Sequence, residues 1–163
     1  MGVSGCGKST VGALLAAALD QAFIEGDSLH PPHNVALMAA GTALTDADRA
    51  GWLATIAGRL AEARATGQGL VVSCSALKRS YRDQLRAACP GLRFIHLHGT
   101  AEQLRDRLQS RRDHYMPASL LDSQLTALQA PGAGEQALVF NIVLPAAQIA
   151  TAAARQLTQI TSA

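Results

Sequence analysis

Short apolar runs alternate along this chain with longer stretches in which apolar residues return every three or four positions, a pattern that predicts alternating strands and helices. After a glycine-rich opening, Val11, Leu14, Leu15 and Leu19 fall at helical spacing and predict a first helix directly behind it. Residues 21–26 read as a short strand around Ala22, Phe23 and Ile24, ending in Glu25, Gly26 and Asp27. The following S-L-H-P-P-H-N is broken by proline and cannot lie inside a helix. A helix over 35–40 stops at Gly41, and T-D-A-D-R-A-G-W-L opens a long amphipathic one. Thr45 or Asp46 is its N-cap, Leu53, Ile56 and Leu60 mark its inner face, and it runs to about Arg64 before Gly67.

The second half repeats the alternation. Residues 69–73 form a continuous apolar run bounded by glycine, as expected of a strand buried on both faces. A helix over 78–88 halts at Cys89-Pro90-Gly91, a strand follows over 93–97, and a helix over 101–112. Residues 113–132, with Pro117 and Pro131 as breaks, read as a helical hairpin-like insertion, a lid. A last strand over 138–143 and an alanine-rich helix over 146–160 close the chain. Four strands alternating with helices imply βαβ units and a parallel sheet flanked by helices, in one domain over 1–163.

Composition narrows the function. With 48% hydrophobic and 16% charged residues the chain can bury a real core. No apolar run approaches the roughly 20 residues of a membrane span, and no secretory leader is evident, so a cytoplasmic protein is expected. A net charge of +2 is too small to argue for nucleic acid. Cys6, Cys74 and Cys89, odd in number and without metal-like spacing, are expected to be reduced thiols.

The chemistry begins at the first residues, since Gly2 to Ser9 spell G-x-x-x-x-G-K-S, a Walker A phosphate loop. Its glycines let consecutive backbone N–H groups of Gly2, Val3, Ser4, Gly5, Cys6 and Gly7 turn inward on phosphate oxygens. Lys8 can then reach the outer phosphates of ATP, the Ser9 hydroxyl can ligate Mg²⁺, and Thr10 continues the helix start. Such a loop normally joins a buried strand to its helix, so a further strand is expected ahead of Met1. Asp48 to Gly51 imitates a GTPase D-x-x-G, but it stands at a helix start and no N-K-x-D accompanies it. The 69–73 run ends in Ser73 and Cys74 rather than an acid, unlike most motor ATPases. A small-molecule kinase remains, with Arg105, Arg107, Arg111 and Arg112 crowded ahead of the lid.

The runs G-V-S-G-C-G-K-S-T, E-G-D-S-L-H-P-P-H-N, L-T-D-A-D-R-A-G-W-L, C-S-A-L-K-R-S-Y-R-D-Q-L-R and H-Y-M-P-A-S-L-L-D-S-Q-L-T-A-L-Q-A-P-G occur in this order. Together they resemble the gluconokinase family, and G-D-x-x-H-P and C-S-A-L-K-x-x-Y-R are its specific parts. The resemblance implies a nucleoside-monophosphate-kinase-like fold, frequently dimeric, that phosphorylates D-gluconate with ATP and no nucleic acid or membrane partner. Asp27, at a strand's carboxyl end, is then the carboxylate that orients the attacking hydroxyl. A sugar acid needs fixed cations and hydrogen-bonding groups: Arg49, Lys78 and Arg82 can supply the cations, and His30 can bond a hydroxyl or fix its loop. Arg107 and Arg111, four apart on one helical face, are expected to face phosphates, with Arg111 nearer the lid. Trp52 reads as core, whereas Ser123 and Gln124 stay open between substrate contact and lid packing. Two alternatives stand beside this reading, a kinase for another small hydroxy acid such as shikimate and a nucleotide-binding domain without turnover.

Overall fold

The computed structural model describes residues 1–110 and 119–161. Helix α1 (Lys8–Ala18) comes directly after the phosphate loop and leads to strand β1 (Ala22–Glu25). Helices α2 (Pro32–Ala39) and α3 (Asp46–Ala65) precede β2 (Leu70–Ser73). Then come α4 (Arg79–Ala88), β3 (Ile95–His98), α5 (Ala101–Gln109), α6 (Ser119–Ala127), β4 (Leu138–Asn141) and α7 (Ala146–Thr161). Helix α2 starts three residues earlier than its apolar pattern suggests, because Pro32 sits in its first turn, where a missing N–H costs nothing. Thr45 caps α3 through a reciprocal box with Asp48, whose N–H donates to Thr45 Oγ1 at 3.2 Å.

Among the described residues the four strands form two parallel pairs rather than one continuous sheet, β1 with β2 and β3 with β4. Met1 and Gly2 stitch the pairs together: the Met1 ammonium donates to Ile95 O, Leu97 N–H donates to Met1 O at 2.9 Å, and Gly2 N–H donates to Ser75 O at 3.1 Å. The order across the molecule is therefore β1, β2, Met1–Gly2, β3, β4.

Apolar packing fixes both faces. One core joins Val11 and Leu15 of α1 to Leu97, Leu104, Leu121, Phe140 and Ile149. The other gathers Trp52, Leu53, Ile56 and Leu60 of α3 with Tyr81, Leu85 and Phe94. A small cluster of Met38, Leu44 and Leu120 ties α2 to α6. The segment 113–118 of the expected lid, with Pro117, lies outside the described residues, as do Arg111 and Arg112. The described part of the lid holds a single helix, α6, whose Leu121 is fully buried. No described helix is long and apolar enough to cross a membrane.

Candidate active site

The phosphate loop takes the shape its glycines allow. Gly5 and Gly7 have φ of 81° and 89°, in the left-handed region that other residues avoid, and a Cβ on Gly5 would lie 3.0 Å from Leu104 O. Val3, Ser4, Gly5 and Cys6 are buried, and Cys6 packs in the core rather than facing the loop's concavity. No side chain caps α1, so its first N–H groups stay available to an anion. Lys8 Nζ folds back to donate to Val3 O at 3.2 Å. Ser9 and Thr10 are exposed at the open end of the helix. Among the described residues no cluster of three acidic, histidine or cysteine side chains could cage a metal. A lone exposed hydroxyl fits Mg²⁺, which usually keeps waters and takes its other ligands from substrate phosphates.

Asp27 stands just past β1 in a 3₁₀ turn over Gly26–Leu29, and three contacts fix that turn. A Cβ on Gly26 would lie 2.0 Å from Ser73 O, so only glycine lets the two strand ends approach this closely. Ser73 Oγ accepts from Gly26 N–H at 3.1 Å and itself donates to the Glu25 carboxylate. Buried Trp52 donates from Nε1 to Gly26 O at 2.7 Å, so the core tryptophan also holds the backbone next to Asp27. His30 stacks on Trp52 with centroids 4.2 Å apart, and its Nδ1 lies 3.4 Å from Asn34 Nδ2. Burial lowers the His30 pKa, with Arg49 adding to the effect against the opposing pull of Asp27, so the imidazole is neutral at neutral pH.

One cleft collects much of this machinery. Ser4, Lys8, Asp27, His30, Arg49 and Gln124 line it. Ser75 and Ser123 join them, with Met38, Leu44 and Leu120 as its apolar wall. The free space among them is only about 20 Å³. Helix α6 closes it, since Ser4 N–H of the phosphate loop donates to Gln124 Oε1 at 2.7 Å. Ser75 was not singled out by the sequence, although the C-S-A-L-K run at the end of β2 contains it. Helix α6 is held from behind by Arg105, whose Nη2 lies 2.8 Å from Asp122 Oδ1.

Two expected sugar-binding cations are engaged elsewhere. Arg82 is fully buried and forms a two-pronged pair with Glu135, Nε to Oε2 at 2.6 Å and Nη2 to Oε1 at 2.7 Å. Its Nη1 donates to the Ala76 and Leu77 carbonyls, so every edge of the guanidinium is spent on holding α4 and the 133–135 turn together. Lys78 reaches both Asp46 oxygens, at 2.6 and 2.8 Å, outside the cleft lining. Arg107 donates to Ile142 O and lies beside Gly7, where an added Cβ would be 3.8 Å from Nη1.

Comparison with known proteins agrees with this geometry. The family model described as shikimate kinase matches residues 4–130. The chain is 54% identical over 135 residues to the gluconokinase of Gluconobacter oxydans, covering 83% of this chain and 76% of that one. It is 42% identical over 146 residues to the thermoresistant gluconokinase of Escherichia coli, covering 89% and 83%. A crystal structure of a gluconokinase from Sinorhizobium meliloti superposes with a TM-score of 0.88 at 45% identity, over 99% of this chain and 93% of that one. The shikimate kinase model is that of a phosphate-loop kinase family, and the relatives at 54% and 42% identity are gluconokinases. The chain belongs to the gluconokinase family.

Proposed function

We propose that this chain transfers the terminal phosphoryl group of ATP to the 6-hydroxyl of D-gluconate, giving 6-phosphogluconate and ADP in the cytoplasm. The observation that carries the reading is the convergence of Lys8, Asp27, His30 and Arg49 on one cleft at the phosphate loop. The loop's N–H groups and Lys8 hold the phosphates and spread the charge that develops on transfer. Ser9 would hold Mg²⁺, which would supply further charge neutralisation. Asp27 aligns the 6-hydroxyl and takes its proton as the new O–P bond forms and the bond to the bridging oxygen of ADP breaks. Arg49 pairs with the sugar carboxylate, and neutral His30 offers a hydrogen bond to a hydroxyl while its stacking on Trp52 fixes its plane.

A cleft of about 20 Å³ cannot admit a six-carbon acid, so α6 must swing away and return over the bound substrates, excluding water as a competing acceptor. Arg107 and Arg111 approach the phosphates as that lid closes. Arg82 is left out of the substrate set because Glu135 already neutralises it.

Lys8→Ala and Asp27→Asn test the assignment by steady-state kinetics and ATP titration. Each is expected to lower kcat by roughly 100-fold or more, with the ATP affinity of Asp27→Asn nearly unchanged. Near-normal turnover in Asp27→Asn would remove its role.

A further inference from the structure

Asn34 is a polar side chain with 2% of its surface exposed, and the chemistry described so far gives it no task. Two prolines deliver it to His30. Pro31 and Pro32 fix the backbone between the 3₁₀ turn and α2, and Asn34 N–H donates to Pro31 O at 2.9 Å, so the Asn34 amide meets the histidine ring four positions back.

What faces the amide sets its orientation. Asp48 O, in the first turn of α3, lies 2.7 Å from Asn34 Nδ2, and a backbone carbonyl can only accept. The NH₂ group, not the amide oxygen, therefore stands there. Its second hydrogen is left for His30 Nδ1 at 3.4 Å, so Nδ1 accepts. Burial keeps the ring neutral at neutral pH, opposed by the charge of Asp27 and helped by that of Arg49. A neutral imidazole that accepts at Nδ1 carries its one proton on Nε2, the nitrogen left to the cleft that His30 lines. Stacking on Trp52, 14° from parallel, keeps the ring from turning over and exchanging the two nitrogens.

We propose that Asn34 is a positioning residue: it locks His30 in the tautomer with the proton on Nε2, so that His30 meets the substrate only as a donor and the hydroxyl it binds is an acceptor. The inference rests on the reading of the cleft as a gluconate site. A hydroxyl bound in this direction keeps its own hydrogen for a second acceptor, whereas a deoxy analogue would leave Nε2–H unpaired.

The test reads the ring directly and then exchanges Asn34 for its acid isostere. Nitrogen NMR of the histidine rings, with His30 assigned by its loss in His30→Gln, is expected to show a bare Nδ1 and a protonated Nε2 in the parent at about pH 7.5. Asn34→Asp places a carboxylate against Nδ1, which draws a proton there and raises the His30 pKa. At about pH 9 the variant ring is then neutral with Nε2 bare, and its KM for gluconate is expected to exceed the parent's by about ten-fold or more. At about pH 6 both ring nitrogens are protonated, Nε2 donates again, and the ratio of variant to parent KM is expected to fall below about three. The KM for ATP is expected to differ by less than about two-fold at either pH. A merely structural fault would give the same ratio at both. A protonated Nδ1 in the parent, or a gluconate KM ratio that does not move with pH, would overturn the proposal. The parent spectrum requires neither a stable variant nor turnover, so it decides the matter even where Asn34→Asp does not fold or gluconate is not phosphorylated.

Discussion

At the scale of single residues, the contact that joins the phosphate loop to α6 is Gln124 Oε1, which accepts from Ser4 N–H at 2.7 Å. A neutral amide oxygen there can yield to substrate, whereas a carboxylate would hold the N–H through a charge-assisted bond and repel phosphate. Gln124→Glu is therefore expected to raise the Kd for ATP about ten-fold or more, and Gln124→Ala to change it by less than about three-fold, both read by titration calorimetry. Equal effects of the two substitutions would contradict this role for the contact. Position at the cleft was legible where a local motif sets it: Lys8 in its loop and Asp27 after a strand both line it. It was not legible where a partner lies far along the chain. The guanidinium of Arg82 looks free in C-S-A-L-K-R-S-Y-R, yet Glu135, 53 positions later, claims it. Nothing local distinguishes a cation bound for substrate from one bound for a buried acid. The tryptophan shows the same limit, since its burial follows from helical spacing but its bond to Gly26 O requires the fold.

Among elements, the pair of α4 and the 133–135 turn depends on that same ion pair. Arg82 and, less strongly, Arg86 bond to Glu135 and hold its pKa at about 2, well below the usual carboxylate range. A depressed carboxylate pKa stabilises the fold at pH above its unfolded value of 4.5, and that contribution falls away as pH drops toward 2. Glu135→Gln leaves Arg82 charged and buried without its counterion, so it is expected to cost about 3–5 kcal/mol at neutral pH by denaturant unfolding. The variant should also lose much of the parent's steep decline in Tm between pH 4.5 and 2. A Tm profile parallel to the parent's across that range would show that Glu135 is not the group responsible. Element boundaries followed local signals well: the Thr45 capping box starts α3 where the T-D-A-D run implies. The start of α2 was missed because two successive prolines read as a break, although the second suits a first helical turn.

For the whole molecule, alternating short apolar runs and amphipathic stretches were enough to anticipate a parallel α/β architecture, because each strand is short and each helix carries a clear inner face. The same pattern could not reveal that the strands divide into two pairs, since pairing partners are set by the long-range crossings that bring β2 beside β1 and β4 beside β3. It also could not show how tightly α6 closes the cleft, which depends on Leu121 seating in one core and Leu120 in a cluster with Met38 and Leu44. Around that cleft the fold gathers the phosphate loop, Asp27 just past a strand end and the Arg49 guanidinium. Their joint purpose is tested most directly by ADP release from Mg²⁺-ATP with D-gluconate, shikimate, glucose or no acceptor, with the product identified by phosphorus and carbon NMR. Release that depends on gluconate and yields phosphate on O6 is the expected result; a folded, ATP-binding protein that prefers shikimate, or that releases ADP no faster with gluconate than with no acceptor, would contradict it.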